Sequence, residues 1–379
     1  MNPITPPQRP IPNPTQNPAS LTVQASEQST QSPFHPGEIA IQQRLQVHER
    51  MQAFGMKVVR NFFPPQHQDF YHALPYLFLG HADNEGWPWA SLVHNQRGFI
   101  ESPDDQTLNV NAQVIPGDPL QQALNNGSRL GVLGIDLEIR RRNRLTAHCE
   151  HSDDQGFVLK VDQTFGNCPK YIQTRHQLPI APADQKPITT DPLASFDDAA
   201  EALISASDTF FVATHYPGDT AQEDTSGDTI GKTIDTTGGS TVSNNISNST
   251  QHLKPTATDP RIGADVSHRG GAPGFVNVVD AQTLIIPDYR GNKHFNTLGN
   301  ILETSKAGLL FIDFERGDLL TMTGHAEILW DAPDLEDYLG AERLWSFKLH
   351  KALRIKNALP FRWVLEDYSP HLPKAKKAQ

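Results

Sequence analysis

Beyond Tyr76 the chain is a succession of short apolar runs, PYLFLGH, WPWASLV, TLNVNAQV, RLGVLGID and GFVLKVDQTF, parted by Gly, Pro, Asp and Asn. Runs of this length between turn-forming residues predict strands of about five or six residues in a mainly antiparallel arrangement. The same texture returns from Asp208 to Trp363. Ahead of the first block, Ile41, Leu45, Val47, Met51 and Phe54 recur mostly at three- or four-residue intervals, which predicts one amphipathic helix from Glu38 to Phe54. The fold class expected is therefore mainly β, with a few helices.

The polar segments between these blocks set the domain plan. Eight of the first 33 residues are Pro, and most of the others there are Gln, Ser, Thr and Asn, so residues 1–33 read as a disordered tail. Residues 179–198, rich in Pro and Asp, read as a linker, and residues 218–258, without one aromatic side chain, as a flexible insertion. This leaves an N-terminal domain over 34–178, a C-terminal domain over 199–369 and a basic tail over 370–379.

The chain is 379 residues long, and its hydrophobic share of 37% is diluted by those polar segments. With 32 Lys and Arg against 43 Asp and Glu, its formal charge of -11 argues against nucleic acid or an anionic membrane as partner. Two cysteines, Cys149 and Cys168, are too few for a disulfide scaffold or a four-thiolate metal site. His67, His72 and His81 fall outside the H-x-x-x-H pattern of a zinc helix, so no metal is expected. No apolar stretch is long enough to span a bilayer, and no signal peptide is visible, so a cytoplasmic protein is expected.

The second half repeats the first. Trp89 to Leu108 lies over Asp265 to Leu284 at a constant offset of 176, with seven identities in 20 ungapped positions, among them Ser91 with Ser267 and Gly98-Phe99 with Gly274-Phe275. One residue further in offset, Gly131-x-Leu133-x-Ile135-Asp136 lies over Gly308-x-Leu310-x-Ile312-Asp313. Two copies of a fold that forms twofold dimers can pack together within one chain.

The copies differ in their cations. In the second, a strand ending at Pro287 leads into Arg290-Gly291-Asn292-Lys293, and Asn296-Thr297 open a short helix. Helix-start N–H groups, cations and hydroxyl or amide donors are what a phosphate monoester requires, although an ordinary polar connection has the same look. The first copy has Asp118 and no cation there, and would repel phosphate. Ser267-His268-Arg269-Gly270-Gly271 reads either as a plain turn or as a close approach to a flat ligand, with His268 or Arg269 beside a developing anion. The first copy holds Leu92-Val93 in place of His268-Arg269, so both losses fall on one side.

At these residues the sequence resembles the FMN-binding split β-barrel superfamily typified by pyridoxamine 5'-phosphate oxidase, in its two-barrel form. The strings that carry the resemblance are GWPWASL, LGIDLEIRRRNR, FGNCPKYIQ, DVSHRGGAPGFVNV, GNKHFNTLGNI, GLLFIDF, GAERLW and ALPFRW, in order between residues 35 and 363. The resemblance implies two tandem split barrels packed as an intrachain pseudo-dimer, with FMN at their interface. It places the phosphate on Arg290, Asn292, Lys293, Asn296 and Thr297, with Asn300 as a further position. It puts the strand Phe275, Val276, Asn277 and Val278 beside the ring through main-chain groups, with Ser267 also in contact. His268 and Arg269 are the candidate catalytic donors.

The function so implied is an FMN-dependent oxidoreductase acting on a small molecule or NAD(P)H. The alternative is a non-catalytic flavin- or haem-binding module working with a separate reductase, and a homodimer of such chains is a further expectation. Counterparts of the residues that bind pyridoxal phosphate are missing, so vitamin B6 oxidation is not expected. Arg140, Arg141, Arg142 and Arg144 read either as a solvated hairpin tip or as a source of one arginine crossing to the flavin. Cys168 reads as a structural thiol or a redox nucleophile, and Trp363 as core packing or a cap on barrel or flavin.

Overall fold

Strand pairing, more than helix packing, organises the chain in the computed structural model, which describes residues 31–218 and 259–373. The tail over 1–33 lies outside the described residues but for 31–33, the insertion over 218–258 but for Gly218, and the basic tail over 370–379 from residue 374 onward. No helix among those described is long and apolar enough to cross a membrane.

Three helices come first: α1 (Pro36–Arg44), α2 (His48–Val58) and α3 (Pro65–His72). The single helix expected over 38–54 is thus two, broken at Gln46, whose φ of 55° is left-handed. The Val47 N–H closes the break by donating to Gln42 O at 2.8 Å. The turn lets both Ile41 and Met51 be buried, which one straight helix on this surface would not.

The first sheet is built from β1 (Tyr76–Ala82), β2 (Pro88–His94), β3 (Ile100–Glu101), β4 (Thr107–Val110), β5 (Arg129–Asp136), β6 (Arg141–Asp153) and β7 (Gly156–Asn167), with α4 (Leu120–Ala123) after β4. Its strand order is β2-β1-β5-β6-β7-β4-β3, antiparallel throughout. Next come β8 (Thr174–Pro179), β9 (Thr189–Leu193) and α5 (Asp198–Ala206). The second sheet uses β10 (Thr209–Tyr216), β11 (Gly263–Gly270), β12 (Asn277–Asp280), β13 (Thr283–Tyr289), β14 (Lys306–Asp313), β15 (Asp318–Leu329) and β16 (Ala341–Lys356), with α6 (Asn296–Thr304) after β13 and β17 (Phe361–Asp367) last. Its order, β11-β10-β14-β15-β16-β13-β12, is that of the first sheet strand for strand.

Registers agree as well. Leu79 pairs with Ser91 and Val132, while Val212 pairs with Ser267 and Leu309, so the two ladders align the residues that the sequence offsets align. The segment read as a linker is partly ordered into the second sheet, where β9 pairs with β16. The C-terminal β17 pairs with β8, and Ile41 of α1 is buried in the core of the second barrel. The two halves therefore exchange segments at both ends.

Alternation along β1 and β10 explains why neither strand shows a polar face. Leu77 and Leu79 enter the core of the first barrel, and Phe210 and Val212 that of the second. Phe78 and Phe211 point the other way, into an apolar seam shared by both barrels, with Leu133, Val266 and Leu310. Their rings stack at 3.6 Å and 16°. Gly131 and Gly308 flank the stack: a Cβ on Gly131 would lie 2.5 Å from Asp265 Cα, and one on Gly308 would lie 2.8 Å from Trp89 Cα. Asp265 and Trp89 are themselves equivalent at offset 176, so the contacts are reciprocal, as a twofold interface requires.

Gly131→Ala is expected to destabilise the protein by about 1–3 kcal/mol, because backbone on the far side cannot yield. Gly166→Ala, where a Cβ meets nothing within 4 Å, should stay within about 0.5 kcal/mol. Denaturant unfolding of the two variants checks this, and equal losses would remove the seam from the account.

Candidate functional site

A cleft opens where the tip of β6 reaches over the second barrel, and its atom-free volume, mouth included, is about 790 Å³. One wall is Ser267, His268 and Arg269 on β11. The opposite wall is Asn292, Lys293, Asn296 and Thr297, where β13 runs into α6. Arg142, Arg144, Cys168 and Tyr171 close the cleft from the first barrel.

The start of α6 has the groups that an anion could use. No side chain caps it, and its first residues Asn296, Thr297 and Leu298 line the cleft. Free helix-start N–H groups carry partial positive charge and bind anions. Lys293, just before it, forms no ion pair among the described residues. Lys293 and Phe295 both have left-handed backbones, at φ 65° and 66°. A long or aromatic side chain in that conformation is strained by roughly 1–2 kcal/mol.

The first barrel shows what this place accepts. At offset 176 from Lys293 stands Gly117, also left-handed at φ 83°. Next to it Asp118 turns its buried carboxylate onto the start of α4: Leu120 N donates at 2.9 Å and Ser91 Oγ at 2.5 Å. Ser91 is the counterpart of Ser267. The first barrel therefore fills its own anion site with a side-chain carboxylate, and burial holds that group near pKa 6, above the usual range. The second barrel leaves the same site open to the cleft.

The other wall is governed by Arg142. Its guanidinium donates to Cys168 O at 2.9 Å, to His268 O at 3.3 Å and to His268 Nδ1 at 3.2 Å. No carboxylate pairs with it among the described residues, and burial lowers its pKa to about 10. Arginine can only donate, so His268 Nδ1 must be an acceptor and the ring proton sits on Nε2. Desolvation first, then Arg142, Arg175 and Arg269, push the His268 pKa well below its ordinary value, so the ring is neutral. Nε2 is buried with no partner, a neutral N–H donor left over in the site. Arg269 is held differently, by Asp288 Oδ1 at 2.7 Å, and Asp288 also pairs with Arg343.

Of the residues expected from sequence, Ser267, His268, Arg269, Phe275, Asn292, Lys293, Asn296 and Thr297 line this one cleft. Val276, Asn277, Val278, Arg290 and Asn300 are not among its lining residues. Val276 is buried in the second core, Asn277 is exposed and donates to Tyr338 Oη at 3.1 Å, and Arg290 is exposed. Asn300 is buried and donates to Thr214 Oγ1 at 2.9 Å. The arginine run divides: Arg140 pairs with Asp367 on β17 and Arg141 donates to Gln66 O, while Arg142 and Arg144 reach His268 and Asp265 on β11 of the second barrel. Their spacing of two on a strand, which points both to one side, was the available signal. Cys168 lines the cleft as a free thiol with Sγ 4.0 Å from Arg142. Trp363 packs edge-on against Phe361 at 4.8 Å in the shared seam and away from the cleft.

Residues 262–360 match the family model described as pyridoxamine 5'-phosphate oxidase. Among solved structures, HupZ from Group A Streptococcus is similar at 13% identity and a TM-score of 0.25, over 41% of this chain and 90% of that one. A point variant of HupZ matches at 12% identity and a TM-score of 0.26, over 42% of this chain and 98% of that one. No curated protein matches the sequence. The match to the pyridoxamine 5'-phosphate oxidase family model falls on the barrel that carries the cleft, and the relation is shown for those residues.

Proposed function

We propose that the cleft binds flavin mononucleotide and that the protein is an FMN-dependent oxidoreductase. The observation that carries this reading is the pairing of an open phosphate-type site at α6 with an unpaired neutral N–H donor at His268. Bound flavin would supply transfer of a hydride or single electrons between a small molecule, or NAD(P)H, and an acceptor.

The residues fit such a group. Lys293, Thr297, Ser267 and the first N–H groups of α6 would hold the phosphate. His268 Nε2–H would face the ring and offer a hydrogen bond to negative charge developing there on reduction. Arg142 contributes in two ways: it fixes the His268 tautomer, and its own charge, paired with no carboxylate among the described residues, favours an anion in the cleft. The same tautomer disfavours haem, since a protonated Nε2 cannot ligate iron. The family's phosphate grip is carried here by Lys293 with Asn and Thr, and Arg290 is left outside it.

One flavin per chain is the expected stoichiometry, because the place related to the cleft by the repeat is filled. Leu319 and Thr321 stand there for Arg142 and Arg144, Leu92 for His268, and Asp118 occupies the anion site. Titration to two equivalents would show that the first barrel keeps a site. Lys293→Gly should weaken FMN at least about tenfold while folding at least as stably, since Gly117 shows that glycine suits this backbone. Arg290→Ala should leave affinity within about twofold; the reverse ranking would overturn the phosphate assignment. His268→Leu should lower the midpoint potential of bound flavin, measured by potentiometry, because the donor to the reduced ring is gone. An unchanged potential would exclude His268 from that role.

A further inference from the structure

Helices α1 and α6 cross so closely that a Cβ on Gly299 would lie 2.7 Å from the Glu38 backbone nitrogen. This crossing drives Glu38 against the start of α6, where it is only 2% exposed. Glu38 Oε2 accepts from the His35 backbone N–H at 2.8 Å, and Oε1 accepts from Asn296 Nδ2. The other amide atom of Asn296, Oδ1, is buried without a hydrogen-bond partner, and Asn296 lines the cleft beside Lys293 and Thr297. That acceptor belongs to a residue lining the place for an anion, where the turned amide would have the same shape and offer a donor.

We propose that Glu38 is a positioning residue for the anion site, acting through the Asn296 amide. As a neutral acid, Glu38 donates its O–H to Asn296 Oδ1, which aims Nδ2 at the phosphate. As a carboxylate it takes Nδ2 for itself, leaves Oδ1 facing the phosphate and adds negative charge behind it. The inference rests on the phosphate reading of the cleft and adds a proton-dependent control to it.

The surroundings place the change in a working range. Burial raises the Glu38 pKa to about 8, with Asp265 on β11 raising it further and Arg144 on β6 opposing. Asp265 and Arg144 pair with each other, so neither acts on Glu38 as a bare charge. From its own segment His35 faces it, held neutral by burial with its pKa near 3. On α6 the neighbours are Asn296 and, across Gly37, Glu303. A group with a raised pKa is neutral below that value and charged above it. Phosphate affinity is therefore highest below about pH 8 and falls as pH rises through it.

The dissociation constants of FMN and riboflavin for the full chain, read from flavin fluorescence between pH 6.5 and 9, test this. For wild type the FMN constant should rise about tenfold from pH 7 to 9, and that of riboflavin, which has no phosphate, by less than about twofold. Glu38→Gln, whose amide does not titrate, should bind FMN with a flat profile. Glu38→Met, of similar length and uncharged, serves as the second variant should the first fail to fold, and should be flat as well. A wild-type profile flat for FMN, a rise shared equally by riboflavin, or a rise that survives in the folded variants would each overturn the role of Glu38 while leaving FMN binding intact. Failure of wild type to bind FMN at any pH would instead overturn the phosphate reading itself, and this inference with it.

Discussion

The seam between the barrels is the constraint on which the remaining structure depends. It brings two equivalent strands, β1 and β10, back against each other, with Phe78 stacked on its own counterpart Phe211. An aromatic pair of this size buries a large apolar area, and truncating one member of such a pair costs about 3–5 kcal/mol. The approach is close because Gly131 and Gly308 have no side chain where the opposite backbone passes. Once the strands are that near, the hairpin tip of β6 has only the second barrel to lie on. The position of Arg142 over His268 follows from the seam and needs no separate device.

A symmetric seam creates two equivalent clefts, and the chain keeps one. On the closed side Leu92, Leu319 and Thr321 replace the three polar or charged groups, and Leu319 joins Phe361 and Trp363 in the apolar seam. Asp118 satisfies Ser91 and the start of α4 from within. On the open side the same positions carry His268, Arg142 and Arg144, and the start of α6 has no internal acceptor. Joining the two copies covalently is what allows this: in a true homodimer each substitution would appear in both clefts at once.

Much of this was legible in the sequence. The offset of 176 aligns β2 with β11 and β4 with β13, and the strand order and pairings of the two sheets agree with it there. The contrast of Leu92-Val93 with His268-Arg269, and the Asp118 of the first copy against Lys293 in the second, pointed to the half in which the cleft lies. What sequence spacing could not supply were contacts between residues far apart in the chain. Glu38 meets Asn296 across 258 positions, and Arg142 meets His268 across 126. A lone Glu in an amphipathic helix gives no sign of being buried, because that depends on Gly37 and Gly299 lying at one crossing. Phe275 through Val278 were expected together beside the ring, yet only Phe275 lines the cleft. Phe275 and Val276 precede β12 and both pack in the core of the second barrel, while Asn277 and Val278 lie on that edge strand outside the cleft lining.

The two halves also differ in how much local order has been given up. The first barrel has glycine where the backbone turns left-handed and a carboxylate where the helix start needs an acceptor. Around the cleft, Lys293 at that glycine's place and Phe295 at the place of right-handed Pro119 are left-handed, and among the described residues Arg142 has no carboxylate partner and polar atoms of His268 and Asn296 have no partner. Each departure weakens the empty fold, and buried polar groups left unpaired cost about 1–3 kcal/mol apiece. All lie around one cleft, and an anionic, hydrogen-bond-accepting ligand would partner the His268 N–H and the Arg142 charge, while Asn296 Oδ1, an acceptor, would join them only with its amide turned. Strain of this kind survives only where the surrounding structure holds it in place, and here the seam does so. The closed half can be read as the same architecture with its site satisfied from within, and the open half as one whose missing acceptors are to be brought by a ligand.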